Sequence, residues 1–160
     1  MARLDHPFNP VFDKSSSILI LGTFPSVKSR GEGFYYGHPQ NRFWKIIASV
    51  TNTNPFPETI ADKKQMLLAN KIALGDILQS CDIEGSDDGS IKNPTPTDLS
   101  KILSNASIKN IFANGDKAYR LLLKYYGKTL QNIIKLPSTS TANAKYNIEM
   151  LITAWSQILN

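Results

Sequence analysis

The feature that most limits how this chain can fold is a short apolar run, residues 17–21, that stops at Gly22 and gives way to the turn Gly22-Thr-Phe-Pro-Ser26. An apolar run with almost no polar interruption predicts a strand buried on both faces, as in a parallel sheet. The pattern recurs: residues 109–114 and 131–136 read as further strands, and 71–74 as a short one before a turn at Gly75 and Asp76. Between them, Phe43, Trp44, Ile46, Ile47 and Val50 recur at three- and four-residue spacing, which predicts a helix over 41–50 with one buried stripe. Helices are also expected at 57–69, with Thr59 as cap and Ile60, Met66 and Leu67 in the core, at 98–103 after Thr97, at 116–126 before Gly127, and at 142–159. This alternation predicts a three-layer α/β/α sandwich around a central, mainly parallel sheet of about four strands. Residues 1–16 read as an irregular lead-in, and the acids, glycines and prolines of 81–96 as a long surface loop.

A chain of 160 residues suits one core, so a single domain over 1–160 is expected. No apolar run approaches the roughly 20 residues of a membrane span, and the first residues lack a secretory signal, so a cytoplasmic protein is expected, with no membrane partner. The single cysteine, Cys81, excludes an intramolecular disulfide and four-cysteine metal sites. With two histidines and scattered acids, no metal site is expected. The excess of 18 Lys and Arg over 13 Asp and Glu gives +5, which suits a polyanionic partner, although no dense basic tract appears.

In an open α/β sheet, ligands bind beyond the carboxyl ends of the strands, which directs attention to residues 22–26 and 137–141. If their strands are neighbours, the two turns lie side by side, and their hydroxyls and free N–H groups suit an anion. They equally suit helix capping, with Thr139 or Ser140 capping the last helix. Between them, Gly33-Phe-Tyr-Tyr-Gly37 carries three rings in a glycine-flanked loop, and at least one ring should face a cleft and stack on a flat base. His38 reads as a structural donor. Asn41 stands at a helix start, where its amide either caps the helix or holds a water in the cleft.

These residues carry a resemblance. His38-Pro-Gln-Asn-Arg-Phe-Trp44 after the Gly-Phe-Tyr-Tyr loop resembles the mismatch-specific branch of the uracil-DNA glycosylase superfamily, and the fuller pattern is similar to its hypoxanthine-DNA glycosylase family. Leu21-Gly-Thr-Phe-Pro-Ser26, Ile72-Ala-Leu-Gly-Asp76 running on to Cys81 and Gly85-Ser86, and Leu136-Pro-Ser-Thr-Ser-Thr-Ala-Asn-Ala144 extend it, with a weaker block at Asn114-Gly115 and Lys117-Ala118. The resemblance implies a monofunctional DNA glycosylase, needing no cofactor, that flips a deaminated base and hydrolyses its N-glycosidic bond, with hypoxanthine first and uracil or xanthine after it. It implies DNA as partner and a base pocket of Gly22, Thr23, Phe24, Pro25, Tyr36 and Asp76. In the superfamily the first loop usually carries an Asp or Asn that orients water, where this chain has Phe24. The last loop often begins with a His or Asn, where this chain has Leu136. The essential asparagine of the hypoxanthine-specific family maps to Asn41. Arg42, Ser138, Thr139, Ser140, Asn143 and Lys145 are the expected DNA contacts, residues 141–144 the wedge that fills the emptied gap, and a monomer the expected state. Asp76 matches a base-reading position and is equally a turn residue. The rival is a fold relative without activity that binds nucleic acid or a nucleotide; an α/β-hydrolase is disfavoured because no Gly-x-Ser-x-Gly elbow occurs.

Overall fold

The computed structural model describes residues 2–160. Its centre is a parallel sheet built from β2 (Ile18–Gly22), β3 (Ile72–Asp76), β6 (Asn110–Asn114) and β7 (Ile133–Leu136), ordered β3-β2-β6-β7 with every pairing parallel. Side chains alternate across it. A short helix, α1 (Val27–Glu32), follows the turn beyond β2. Ile18, Ile20, Ile72, Leu74, Phe112 and Leu136 face one core, covered by α2 (Phe43–Val50), α3 (Ile60–Ala69) and α6 (Ile148–Trp155). Leu19, Leu21, Ala73, Ile111 and Ala113 face the other, under α4 (Ser100–Leu103) and α5 (Asp116–Tyr126). This is the expected three-layer sandwich, and the unbroken apolar run of β2 is what burial on both faces requires. Leu19, Ile20 and Leu21 are fully buried, each contributing about 1.5–3 kcal/mol of transfer free energy.

Several boundaries differ from expectation, for local reasons. Residues 81–96 are not a loop. They belong to a hairpin of β4 (Leu78–Glu84) and β5 (Asp87–Pro96), joined by Gly85 and Ser86, with Gly85 at φ +56 in the first turn position as a two-residue hairpin favours. The prolines that suggested a loop lie on an edge strand, where a missing N–H costs no ladder bond. The lead-in is also partly ordered: β1 (Ala2–Asp5) pairs antiparallel with β4, completing a second sheet of order β1-β4-β5, and Val11 bridges to Leu74. Ile77, Leu78, Cys81 and Ile83 of this second unit are buried against the same core as α5.

β3 continues through Gly75 to Asp76 rather than turning there. Thr59 caps α3 as expected, accepting from the N–H of Asp62, but Ile60 is 40% exposed and only Met66 and Leu67 reach the core. Thr97 does not cap the next helix; its hydroxyl donates to the Asp76 carbonyl, and Asp98 accepts from the Ser100 N–H instead. The final helix is shorter than its pattern, because residues 137–147 form an irregular loop and Asn147, not Thr139 or Ser140, caps α6. A 3₁₀ turn (Ser156–Leu159) follows it. Among the described residues, no helix is long and apolar enough to cross a membrane.

Candidate active site

Beyond the carboxyl ends of the parallel strands lies a cleft of about 280 Å³. Its walls are residues 22–26, the aromatic loop with Tyr35, Tyr36, His38 and Asn41, Asp76 at the end of β3, Ser86 and Asp88 of the hairpin, Asn114 at the end of β6, and residues 138–141. The turns after β2 and β7 do not come from neighbouring strands, since β6 lies between them. They share one cleft because Asn114, at the tip of that intervening strand, ties its surroundings together.

Asn114 Nδ2 donates to the Tyr36 hydroxyl at 3.0 Å and to Thr139 Oγ1 at 3.1 Å, while its Oδ1 accepts from the Thr139 N–H. Thr139 Oγ1 in turn donates to Asn41 Oδ1 at 2.8 Å. Asn41 Oδ1 also accepts from the N–H of Phe43 at 2.9 Å, so the asparagine does help to start α2 from one residue before the N-cap, Arg42. Two donors fix this oxygen, and a backbone N–H can only donate, so the amide orientation is set by its partners. The Nδ2 group is the part of Asn41 left for the cleft.

Of the three loop rings, Phe34 is core, stacked on Trp44 at 5.6 Å, while Tyr35 and Tyr36 reach the cleft. One face of Tyr36 is covered by Phe43, at 4.1 Å and 19°. Its backbone takes φ +53, unusual for a tyrosine, which turns the ring into the network of Asn114. Burial first, then the charge of Asp76, pushes the Tyr36 phenol far above its ordinary range, and the Asn114 hydrogen bond only partly offsets this. Tyr36 thus keeps its proton, and with its oxygen accepting from Asn114 the O–H is directed elsewhere.

Asp76 is 7% exposed and accepts from His6 Nε2 at 2.8 Å. His6 Nδ1 accepts from the Phe8 N–H, which places the ring proton on Nε2, toward the carboxylate. Asp76 Oδ1 and the Tyr36 hydroxyl converge on Gly22: a Cβ there would lie 2.7 and 2.8 Å from them. Thr23 and Phe24 are buried, and their backbone N–H groups donate to no protein acceptor among the described residues. Phe24 packs its edge near the His6 ring at 5.8 Å. Leu136 is fully buried in the core and does not line the cleft.

Not every expected DNA contact is free to act as one. The Arg42 guanidinium is taken up inside the protein, donating to the carbonyls of Thr139, Ser140, Asn143 and Tyr146. It holds residues 139–146 as a loop, the reason this stretch does not join α6. Thr139 is 1% exposed, and Asn143 Nδ2 donates to the Ser138 carbonyl, so both brace the same loop. Ser138 and Ser140 line the cleft with hydroxyl oxygens that accept from the N–H groups of Ser140 and Ala142, leaving their O–H groups to donate outward. Lys145 is exposed.

Three residues bear on the site that the sequence did not single out: His6, which holds Asp76 without lining the cleft, Asp88 on the cleft wall, and Asn114 as a tether. Asn114-Gly115 at a strand end was the available signal for the last; His6 and Asp88 depended on seeing the second sheet. Asp88 is half-buried, and its carboxyl is pushed up to about 6, by burial first and then by Asp76, with Lys117 pulling the other way. Among the described residues, no three His, Cys, Asp or Glu side chains gather as a metal site.

A parallel α/β sandwich with a strand-end cleft lined by aromatic rings, backbone N–H groups without protein acceptors and amide groups has the chemistry that suits a flat polar ligand. The chain matches the model of the uracil DNA glycosylase superfamily over residues 10–159, and it belongs to that superfamily. It is similar to the hypoxanthine DNA glycosylase of Methanosarcina barkeri, 29% identical over 94% of each chain, and to that of Methanosarcina acetivorans, 33% identical over 88% of this chain and 89% of the relative. The solution NMR structure of a Methanosarcina acetivorans protein, provisionally described as a uracil DNA glycosylase, superposes with a TM-score of 0.76 at 30% identity, covering 96% of this chain and 97% of that one.

Proposed function

We propose that this protein is a monofunctional DNA glycosylase that removes deaminated bases, hypoxanthine first. The observation that carries this reading is Asn41: the asparagine of the His-Pro-x-Asn motif faces the cleft with its oxygen anchored by Thr139 and Phe43. The membership and the relatives' names support the reaction class. Breaking the bond from C1′ to the base leaves positive charge on the sugar and negative charge on the base. Water then adds to C1′ and gives up a proton to solvent, while the base leaves with the bonding pair. The N–H groups of Thr23 and Phe24 are placed to receive that developing anion. Tyr36, backed by Phe43, offers its other face to the flipped ring, and Asp76 accepts a ring N–H.

Asn41 is a poor base and acts by placement: its Nδ2 donates to the water oxygen and leaves a lone pair for C1′. The hydroxyls of Ser138 and Ser140, with Lys145, meet the phosphates, and residues 141–144 fill the gap left by the base. The reading takes the chain as one domain acting as a monomer in the cytoplasm, without metal or cofactor, and the +5 charge favours its DNA partner.

The test uses duplexes carrying one deoxyinosine or deoxyuridine, with alkaline cleavage of abasic sites. Inosine should be cut faster than uracil. No break on any substrate with enzyme in excess would instead favour an inactive relative, the reading that Phe24 and Leu136 suggest. Asn41→Asp separates anchoring from chemistry, because a carboxylate still accepts from Phe43 and Thr139 but cannot donate. Folding and duplex affinity should stay near normal while single-turnover excision falls by about 100-fold or more, the scale of one lost transition-state contact. Undiminished excision by Asn41→Asp would show that Nδ2 donation is not used.

A further inference from the structure

The hairpin of β4 and β5 sends a second carboxyl into the cleft. Its tip is pinned: the Val27 N–H donates to Ser86 Oγ at 2.9 Å, and Arg30 donates to the carbonyls of Gly85 at 3.1 Å and Pro25 at 2.8 Å. Arg30 thus clasps the hairpin to the loop after β2. Asp88, two residues past Ser86, lines the same cleft as Asp76. Asp76 already accepts from His6, which fixes it as an acceptor. Two carboxylates sharing one desolvated cleft do not both ionise easily, and the one without a fixed donor keeps its proton more readily.

Deamination of adenine or cytosine changes the base edge in one consistent way. An amino group beside a bare ring nitrogen becomes a carbonyl beside a ring N–H. An edge of that kind is matched by one acceptor and one donor. We propose that Asp88 is a base-reading residue, its carboxylic acid donating to the carbonyl oxygen of the deaminated base while Asp76, held by His6, accepts the adjacent ring N–H. Adenine and cytosine present the reverse order at these positions and leave both carboxyls mispaired, which costs more than a missing apolar contact. Guanine and thymine carry the same edge, and their rejection falls to the duplex, where a firmly paired base is costlier to flip. This inference rests on the glycosylase reading above.

The pH dependence has a defined sign. The groups whose charge acts on Asp88, or on which its charge acts, are Asp76 from the end of β3, Asp87 on its own strand, Tyr36 in the aromatic loop, Cys81 of β4 and Lys117 of α5, and His38 shares the cleft wall. The acids, with burial, hold the proton on Asp88, and Lys117 favours its loss. The donor is present below a pH of about 6 and is lost as pH rises through it. Hypoxanthine and uracil keep their own N–H throughout this range.

The experiment compares the wild type, Asp88→Asn and Asp88→Ala between pH 5.5 and 7.5 in single-turnover excision of inosine from duplex DNA and in binding of free hypoxanthine. Asn keeps an N–H donor of the same size that does not titrate. The wild-type rate and affinity should each fall at least about fivefold across this range, those of Asp88→Asn should stay flat, and those of Asp88→Ala should be low throughout. Melting at pH 5.5 verifies that each variant is folded. An Asp88→Asn profile with the wild-type decline, or Asp88→Ala matching the wild type, overturns the proposal. If the wild type cuts no base at all, the glycosylase reading falls, and the free-base binding profiles still decide the role of Asp88 by the same criteria.

Discussion

At the scale of single residues, Gly22 shows how tightly the pocket floor is drawn. Asp76 Oδ1 and the Tyr36 hydroxyl both lie closer than 3 Å to where a Cβ on residue 22 would stand. Neither neighbour can yield cheaply: Asp76 is tied to His6 and Tyr36 to Asn114. Gly22→Ala should therefore displace at least one of them and cut inosine excision by tenfold or more, the scale of an ångström of misplacement in a preorganised site. Duplex affinity should change little, because the hydroxyls proposed to meet the phosphates belong to the loop after β7 and not to Gly22 or its two neighbours. Full activity in Gly22→Ala would mean that the positions of Asp76 and Tyr36 do not matter to excision. The same residue explains why Phe24 does not empty the site. In the proposed reading, the work that the resemblance gives to a side chain of the first loop falls to that loop's backbone, with polar side chains supplied from the end of β3, the start of α2 and the hairpin.

At the scale of elements, the loop after β7 is held in shape by one cation. Arg42 donates to four carbonyls between Thr139 and Tyr146, and the Thr139 bound by it anchors Asn41. A phosphate contact and a loop clamp predict different responses to salt. Arg42→Met should slow excision and lower the melting temperature while leaving the slope of log affinity against log salt near that of the wild type; a true phosphate contact would lower the slope by about 1. The elements also show what was legible in the chain. β2, β6 and α5 stood out because each carries an uninterrupted periodicity and ends at a glycine or asparagine. The hairpin did not, because β5 is an exposed edge strand whose composition is that of a loop, and irregular register in its pairing with β4 erases the alternation. The final helix was overextended because Arg42, about a hundred residues earlier, decides where it begins. The candidate site divides the same way. Asn41, Tyr36 and Asp76 were readable from a motif and a strand end, whereas His6, Asn114 and Asp88 gain meaning only from contacts across two sheets.

At the scale of the whole molecule, the cleft is a joint product of those two sheets. The parallel sheet supplies backbone donors, amides and hydroxyls; the antiparallel one supplies Asp88, and the segment just after β1 supplies His6. The His6–Asp76 contact crosses between them, with both side chains only 6% and 5% exposed. Removing the imidazole leaves a buried carboxyl without its donor, a loss on the order of 1–3 kcal/mol and more if the group stays charged. His6→Ala should thus lower the melting temperature by several degrees. It should also release Asp76 to rotate, so that inosine excision falls while affinity for undamaged duplex, which the proposed reading assigns to the loop after β7, stays within about twofold. Hydrogen exchange separates a local effect from general loosening: amides of β1 should lose protection and those of β6 should not. Equal loss of protection in both sheets would make His6 a general structural residue and remove the argument that it orients Asp76. Retained protection in β6 with lost excision would place the effect at the seam, where the segment after β1 holds Asp76 at the carboxyl end of the parallel sheet.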